Sequence, residues 1–345
     1  MSSHTIVYLD QNYVSYMAKA GIGRLKDEDD SKFWQLLFRD LKAAVLGNRI
    51  ACPKSGFHRK ETRLAGGIKE ATEGVINELS CGLELNPWEV ILQLQIEDAA
   101  FGFLGKSPPP RDAWSIAFNS DPLAPVESRT EHLSAAEGRM SVSDLIPDEV
   151  IERDRNLKRD FVVEGNERLN KYRTNPLEWS KLLLDSKKNV VDGFMGKPAR
   201  QSIAHQEQSG SLLNRLTGLA RRKQLEDLWN RLYCIGIDTN DRKMIRKFAE
   251  SEEFLNSPFL EIYGSILAVI GEHRIQGREL GEGDNYDAGI LASAVPYYDV
   301  IATERFMKAI LTDSRLRFDR KYKCTIFSAG KTDPRAFHEL INELI

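Results

Sequence analysis

Long hydrophobic runs, clustered cysteines and the glycine signatures of common nucleotide and hydrolase sites are all missing from this chain of 345 residues. There is no G-x-G-x-x-G, no P-loop and no G-x-S-x-G. Dinucleotide redox chemistry, P-loop NTP hydrolysis and serine-hydrolase chemistry are therefore disfavoured. The four cysteines, Cys52, Cys81, Cys234 and Cys324, form no C-x-x-C pair. They read as reduced, mostly buried thiols of a cytosolic chain. The six histidines are scattered without H-x-x-H or H-x-x-x-H spacing, which argues against a zinc site. A net charge of −3 provides no global basic field for nucleic acid, although a local basic groove stays open. The apolar run in "YGSILAVIGEH" is too short to span a membrane. A strand within six residues of the N-terminus leaves no room for a signal peptide. The expectation is a cytoplasmic protein with no membrane partner.

Apolar residues make up 41% of the chain and charged residues 29%, a balance suited to a soluble globular fold with a substantial core. "TIVYLD", at Thr5 to Asp10, is a short continuous apolar run, as expected of a buried strand in a parallel sheet. A helix follows from about Tyr13. "DEDDSKFWQLLFRDLKAAVLGN" starts with acids and carries apolar residues at helical spacing before Gly47-Asn48. "RIACP" reads as a second strand, and "FHRKETRLAGGIKEATEGVINELS" as more helix. Near the other end, "NYDAGILASAVPYYDVIATERFMKAIL" reads as helix, break, strand at Val300–Thr303 and helix. "KCTIFSA" is a last strand, and "DPRAFHELINELI" a closing helix capped by Asp333. Strands alternating with helices at both ends predict an α/β fold, a three-layer α/β/α sandwich with a central parallel sheet. The stretch between shows few strand signals and reads as a large helical insertion. The expected divisions are 1–104, 105–257 and 258–345, the first and last forming one domain. Within the insertion, "DEVIERDRNLKRDFVVEGNERLNKYR" is expected as a long charged helix. Another is expected to carry a stripe of Leu212, Leu213, Leu216, Leu219 and Ala220, with Arg221, Arg222 and Lys223 beside it.

Chemistry, if present, lies with the acids. Ligands of open parallel sheets bind outside the carboxyl ends of the strands, where Asp10 stands. Alone, Asp10 could simply cap the next helix. Glu61 lies about two turns into a helix and could be an ordinary solvated glutamate. Asp284 and Asp287, three apart on a first helical turn, share a face. Asp299 and Glu304 flank the Val300–Thr303 strand, with Glu304 at its carboxyl end. Carboxylates gathered at one sheet edge repel unless a cation neutralises them, and their oxygens suit Mg²⁺ or Mn²⁺. A pair of such ions can activate water and stabilise the leaving oxygen of a phosphodiester.

The segments "IVYLDQNYVS", "ACPKSGFHRKET" and "DNYDAGILASAVPYYDVIATERF" together resemble the PIN-like nuclease superfamily. The resemblance spans about residues 4 to 80 and 258 to 345. It implies a small α/β/α sandwich and a metal-dependent endonuclease, most often an endoribonuclease, using Mg²⁺ or Mn²⁺. By position it implies Asp10, Glu61, Asp287 and Glu304 as the catalytic acids. Metal would be held by Asp10, Asp287 and Glu304, with Asp284 as an extra ligand and Thr303 as the hydroxyl orienting the last acid. Here Glu304 directly follows Thr303, whereas the family usually has one residue between. A toxin or defence effector with a substrate-selecting insertion fits this reading, as does a protein regulator or a homo-oligomer.

Other residues near these motifs are candidates for orienting the acids or holding substrate. They are Asn12, His58, Thr303, Asp299, Arg59 and Arg63. His58 could line the site, while Arg59, Lys60 and Arg63 either form a solvated helix face or hold an RNA backbone. Tyr286, Tyr297 and Tyr298 could stack on bases or pack in the core. The competing function class is a catalytically inactive PIN-like fold that serves as a nucleic-acid-binding or protein-interaction module.

Overall fold

In the computed structural model the first apolar run forms β1 (Thr5–Leu9), with Ile6, Val7, Tyr8 and Leu9 all buried. The description covers residues 4–127 and 177–345 apart from 196, 209–211, 280, 282 and 331. It also covers 162–163, 166–167 and 170. β1 lies between β2 (Ile50–Ala51) and β3 (Val300–Thr303), and β4 (Thr325–Ser328) follows β3 in a parallel sheet of order β2-β1-β3-β4. The register pairs Val7 with Val300 and Leu9 with Ala302. Burial on both faces explains why β1 and β3 are apolar without alternation. Outside β2, the Lys54 N–H donates to Leu83 O and the Leu85 N–H to Lys54 O, extending the edge by a short parallel bridge.

The helices of this unit follow their sequence signals. α1 (Gln11–Gly21) starts directly after Asp10. α2 (Glu28–Leu46) is capped by Asp27, whose carboxylate accepts the Asp30 N–H, and it stops at Gly47. Acids in its first turn favour the positive end of the helix dipole. α3 (Gly56–Leu64) and α4 (Lys69–Ser80) precede the helical unit described below. Val7 and Leu9 join a core with Tyr13, Met17, Leu37, Leu41, Phe337 and Ile341. Leu37 and Leu41 are fully buried, so truncating either to Ala should cost about 2–5 kcal/mol. Tyr8, on the opposite face of β1, stacks on His58 and meets Tyr298 edge-on. Residues 112–127 belong to this unit too: Asn86 Nδ2 donates to Ile116 O and Phe118 O, and the Val126 N–H to Asn48 Oδ1.

The second compact unit comprises Trp88–Arg111 and Glu167–Leu280. Its described elements are all helical and include Trp88–Phe103, Trp179–Met195, Lys197–Glu207, Leu212–Ile235 and Pro258–Ile275. Buried Glu97 accepts hydrogen bonds from Arg111 (2.7 Å) and Arg231 (3.1 Å), tying three segments together. Gly264 is required for close approach, because a Cβ there would lie 2.5 Å from Lys187 Cγ. The helical unit is thus wider than the expected 105–257. Helices 88–103 and 258–275 are apolar nearly all round, and such helices do not reveal which partner they pack on. Here they pack with each other, and helix 258–275 packs with Trp179–Met195. The expected charged helix at 148–173 lies mostly outside the described residues. No helix among the described residues is long and apolar enough to cross a membrane.

Candidate functional site

β1 and β3 are neighbours, yet the chain leaves β1 toward β2 on its other side. The carboxyl ends of β1 and β3 therefore flank a topological switch point, the usual crevice for ligands in an open α/β sheet. Asp10 and Glu304 follow these two strands directly. The Asp10 N–H donates to Ala302 O at 2.8 Å, continuing the β1–β3 pairing to the acid itself. The Asp10 carboxylate is buried and caps α1: Oδ1 accepts the Gln11 N–H at 2.7 Å and Oδ2 accepts Asn12 Nδ2 at 3.3 Å. Asn12 thus orients the first acid. Glu304 occupies the N-cap of helix Arg305–Leu311 without a side-chain cap bond to it. Thr303 is buried at the end of β3, where its carbonyl accepts the Ala329 N–H.

Glu61 reaches this neighbourhood through a tie made by His58. Ser55 Oγ accepts the His58 N–H, and His58 Nδ1 accepts the Ser55 N–H, closing a capping box at the start of α3. With Nδ1 accepting, the proton sits on Nε2, which donates to Leu9 O at 2.7 Å. That bond fastens α3 to the end of β1, one residue before Asp10. Both ring nitrogens are used, so His58 has none to offer a metal or a phosphate. Burial pushes its pKa down to about 4, and the Leu9 bond only partly opposes this. His58 is therefore a neutral positioning residue.

Asp284 and Asp287 open helix Asp284–Ala294. Asp284 is buried, and its Oδ2 accepts the Gly281 N–H at 2.8 Å. One of its oxygens thus serves the turn before the helix. Burial raises the Asp287 carboxyl to about 9, reinforced by the charges of Asp10, Glu61, Glu304 and Asp284. Asp10 rises to about 6, again by burial first; the Gln11 N–H opposes this, Glu304 adds to it and Asn12 opposes it. These effects place the five acids in one electrostatic neighbourhood. Their side chains do not form a ready cage: among the described residues, no three His, Cys, Asp or Glu groups are close enough to hold an ion.

The other expected residues are placed differently. Asp299 stands at the amino end of β3, where its Oδ2 accepts the Ile6 N–H at 2.8 Å. It joins the amino ends of two strands, at the opposite edge of the sheet from Asp10 and Glu304. Arg59 is exposed and pairs with Glu84 at 3.1 Å. The side chains of Lys60 and Arg63 lie outside the described residues. Tyr298 is a core residue, edge-on to Tyr8 and Phe118, and Tyr286 meets Phe57 edge-on. In the helical unit, Arg222 is paired with Glu207 and Arg221 donates to Gln206 Oε1, while Lys223 is exposed. Much of that basic run therefore holds two helices together. The side chains of Leu212, Leu213 and Leu216 lie outside the described residues, and Leu219 is exposed. Asp333 is not a cap. It occupies the first helical position, and its carboxylate accepts the Ser328 N–H and O–H and pairs with Lys308.

One polar residue at the site carried no functional signal in the sequence beyond its position after the first acid. Gln11 Nε2 donates to Thr62 Oγ1 at 3.1 Å, linking the start of α1 to the residue after Glu61. Compared with protein-family models, with curated proteins and with solved structures, the chain matches none of them.

Proposed function

We propose that this chain is a PIN-like, metal-dependent endoribonuclease of the cytoplasm. One observation supports the reading most: Asp10 and Glu304 end neighbouring strands at the switch point, and charges there, including theirs, help hold the Asp287 carboxyl up to about 9. A structural capping role accounts for Asp10 alone. It does not account for several acids crowded at a cost in ionisation, because a buried carboxylate near others resists giving up its proton.

The donor chemistry fits Mg²⁺ or Mn²⁺, being all oxygen and anionic. Asp10, Asp287 and Glu304 would hold the ion, with the second oxygen of Asp284 as a further donor. Such an ion supplies a water ionised near neutral pH and positive charge for the leaving oxygen. The chain's own residues do the rest. Asn12 and the Gln11 N–H fix the Asp10 carboxylate, His58 fixes α3, and Glu61 on α3 is placed to accept a proton. The carboxylates would close on the ion by side-chain rotation, since like charges stay apart without one.

The second reading is a catalytically inactive binding module, and it draws on the same spacing of the acids. Cleavage of a labelled RNA by the purified chain in Mg²⁺, in Mn²⁺ and in EDTA separates the two. The nuclease reading expects metal-dependent internal cuts that vanish in Asp287→Asn. No cleavage in either metal, with RNA still bound, would establish the module instead.

A further inference from the structure

The Gln11 carboxamide spans the two chain segments that carry Asp10 and Glu61. Its backbone N–H is bonded to Asp10 Oδ1, and its side-chain Nε2 donates to Thr62 Oγ1, one residue after Glu61. These two bonds leave the amide little freedom. Its remaining polar atom, Oε1, is buried and accepts no hydrogen bond. A buried amide oxygen without a donor typically costs about 1–3 kcal/mol, and folded proteins leave few of them. The neighbourhood is rich in carboxylates, which when ionised only accept. A donor must therefore come with a ligand or with solvent.

We infer that Gln11 Oε1 accepts a hydrogen bond from a water carried by the divalent ion of the acid cluster, and so positions that water and strengthens ion binding. The inference rests on the nuclease reading of the site. Mg²⁺ gives up its waters reluctantly and commonly keeps several while one or two carboxylates bind it directly. Those waters are strong donors, and a neutral acceptor satisfies them without adding another negative charge. Four or more acids are already crowded here, so an amide serves where a further carboxylate would raise the repulsion. The Thr62 bond also couples the water's acceptor to α3, so the helix bearing Glu61 and the bound ion would register with each other through one side chain.

The test is Mn²⁺ affinity of the full chain, read from the electron paramagnetic resonance of free Mn²⁺, with melting temperature in EDTA measured alongside. Gln11→Met keeps the length and apolar stem but removes the acceptor. It should weaken Mn²⁺ binding 10–100-fold, the usual effect of losing such an outer contact, without lowering the metal-free melting temperature. Gln11→Glu restores an acceptor oxygen in the same place and should recover most of the affinity. A merely structural Gln11 would lower the melting temperature of both variants and leave Mn²⁺ affinity unchanged, which overturns the inference. If the amide acted instead as a donor to an acid, Gln11→Glu would be as defective as Gln11→Met, which also overturns it. Wild-type chain that takes up no Mn²⁺ would refute the nuclease reading itself, a result distinct from normal wild-type binding with an unaffected Gln11→Met.

Discussion

Asp10→Asn should stabilise the metal-free protein at neutral pH, and the gain should grow with pH in a defined window. In the folded state the Asp10 carboxyl is raised from 3.8 to about 6. Between those values the unfolded chain has lost its proton while the folded chain keeps it. Folding stability therefore falls as pH rises through this window and levels off above it. The size of the rise corresponds to about 3 kcal/mol at and above pH 7. Asparagine cannot ionise, yet its oxygen still accepts the Gln11 N–H. The variant should match wild type near pH 4 and exceed it at pH 7.5, by roughly 5–10 °C in melting temperature for a unit of this size. The assay is thermal unfolding in EDTA across pH 4 to 8, followed by circular dichroism. A difference between the proteins that does not change with pH, or a variant less stable at pH 7.5, would refute the crowding of Asp10.

Other substitutions probe the remaining parts of the site. Asp287→Asn should abolish Mn²⁺-dependent RNA cleavage. In EDTA it should remove the part of the stability loss that continues from pH 6 toward pH 9, since the wild-type carboxyl is raised to about 9; unfolding curves over that range check it. His58 has the opposite sign: its folded pKa is lowered to about 4, so its contribution is present above the unfolded value of about 6.5 and lost as pH falls toward 4. His58→Gln should flatten that acid limb while lowering stability at pH 7.5, as seen in melting temperature against pH. Asp299→Ala should cost about 1 kcal/mol through the lost Ile6 bond, yet leave Mn²⁺ affinity as in wild type. A binding titration showing weaker Mn²⁺ uptake would place Asp299 in the site after all.

The strands and their terminal acids were legible in the sequence because buried parallel strands are written as short continuous apolar runs, as in Ile6 to Leu9 and Val300 to Thr303. The order of those strands was not, because nothing in local periodicity says that β3 lies beside β1. That neighbourhood is what brings Glu304 to Asp10. Asp299 and Glu304 both flank β3 and look alike in sequence, but a strand has two ends and only one faces the switch point. His58 was misleading for a different reason. A histidine at the third position of a helix can close a capping box through Nδ1, and its second bond goes to a residue 49 positions away. The basic run at Arg221 to Lys223 looked solvated or RNA-facing because its partners, Gln206 and Glu207, sit on the preceding helix. The edges of the helical unit were hidden by helices 88–103 and 258–275, whose apolar surfaces give no facing direction.

The central claim is that the acids of β1, β3 and helix Asp284–Ala294 close on one divalent ion. Crystals of the chain soaked in Mn²⁺ and measured at the manganese absorption edge test it most directly. The account predicts an anomalous peak at the carboxyl ends of β1 and β3, with oxygens of Asp10, Asp287 and Glu304 about 2 Å from it. A peak elsewhere, or none while these carboxylates stay apart, would contradict it.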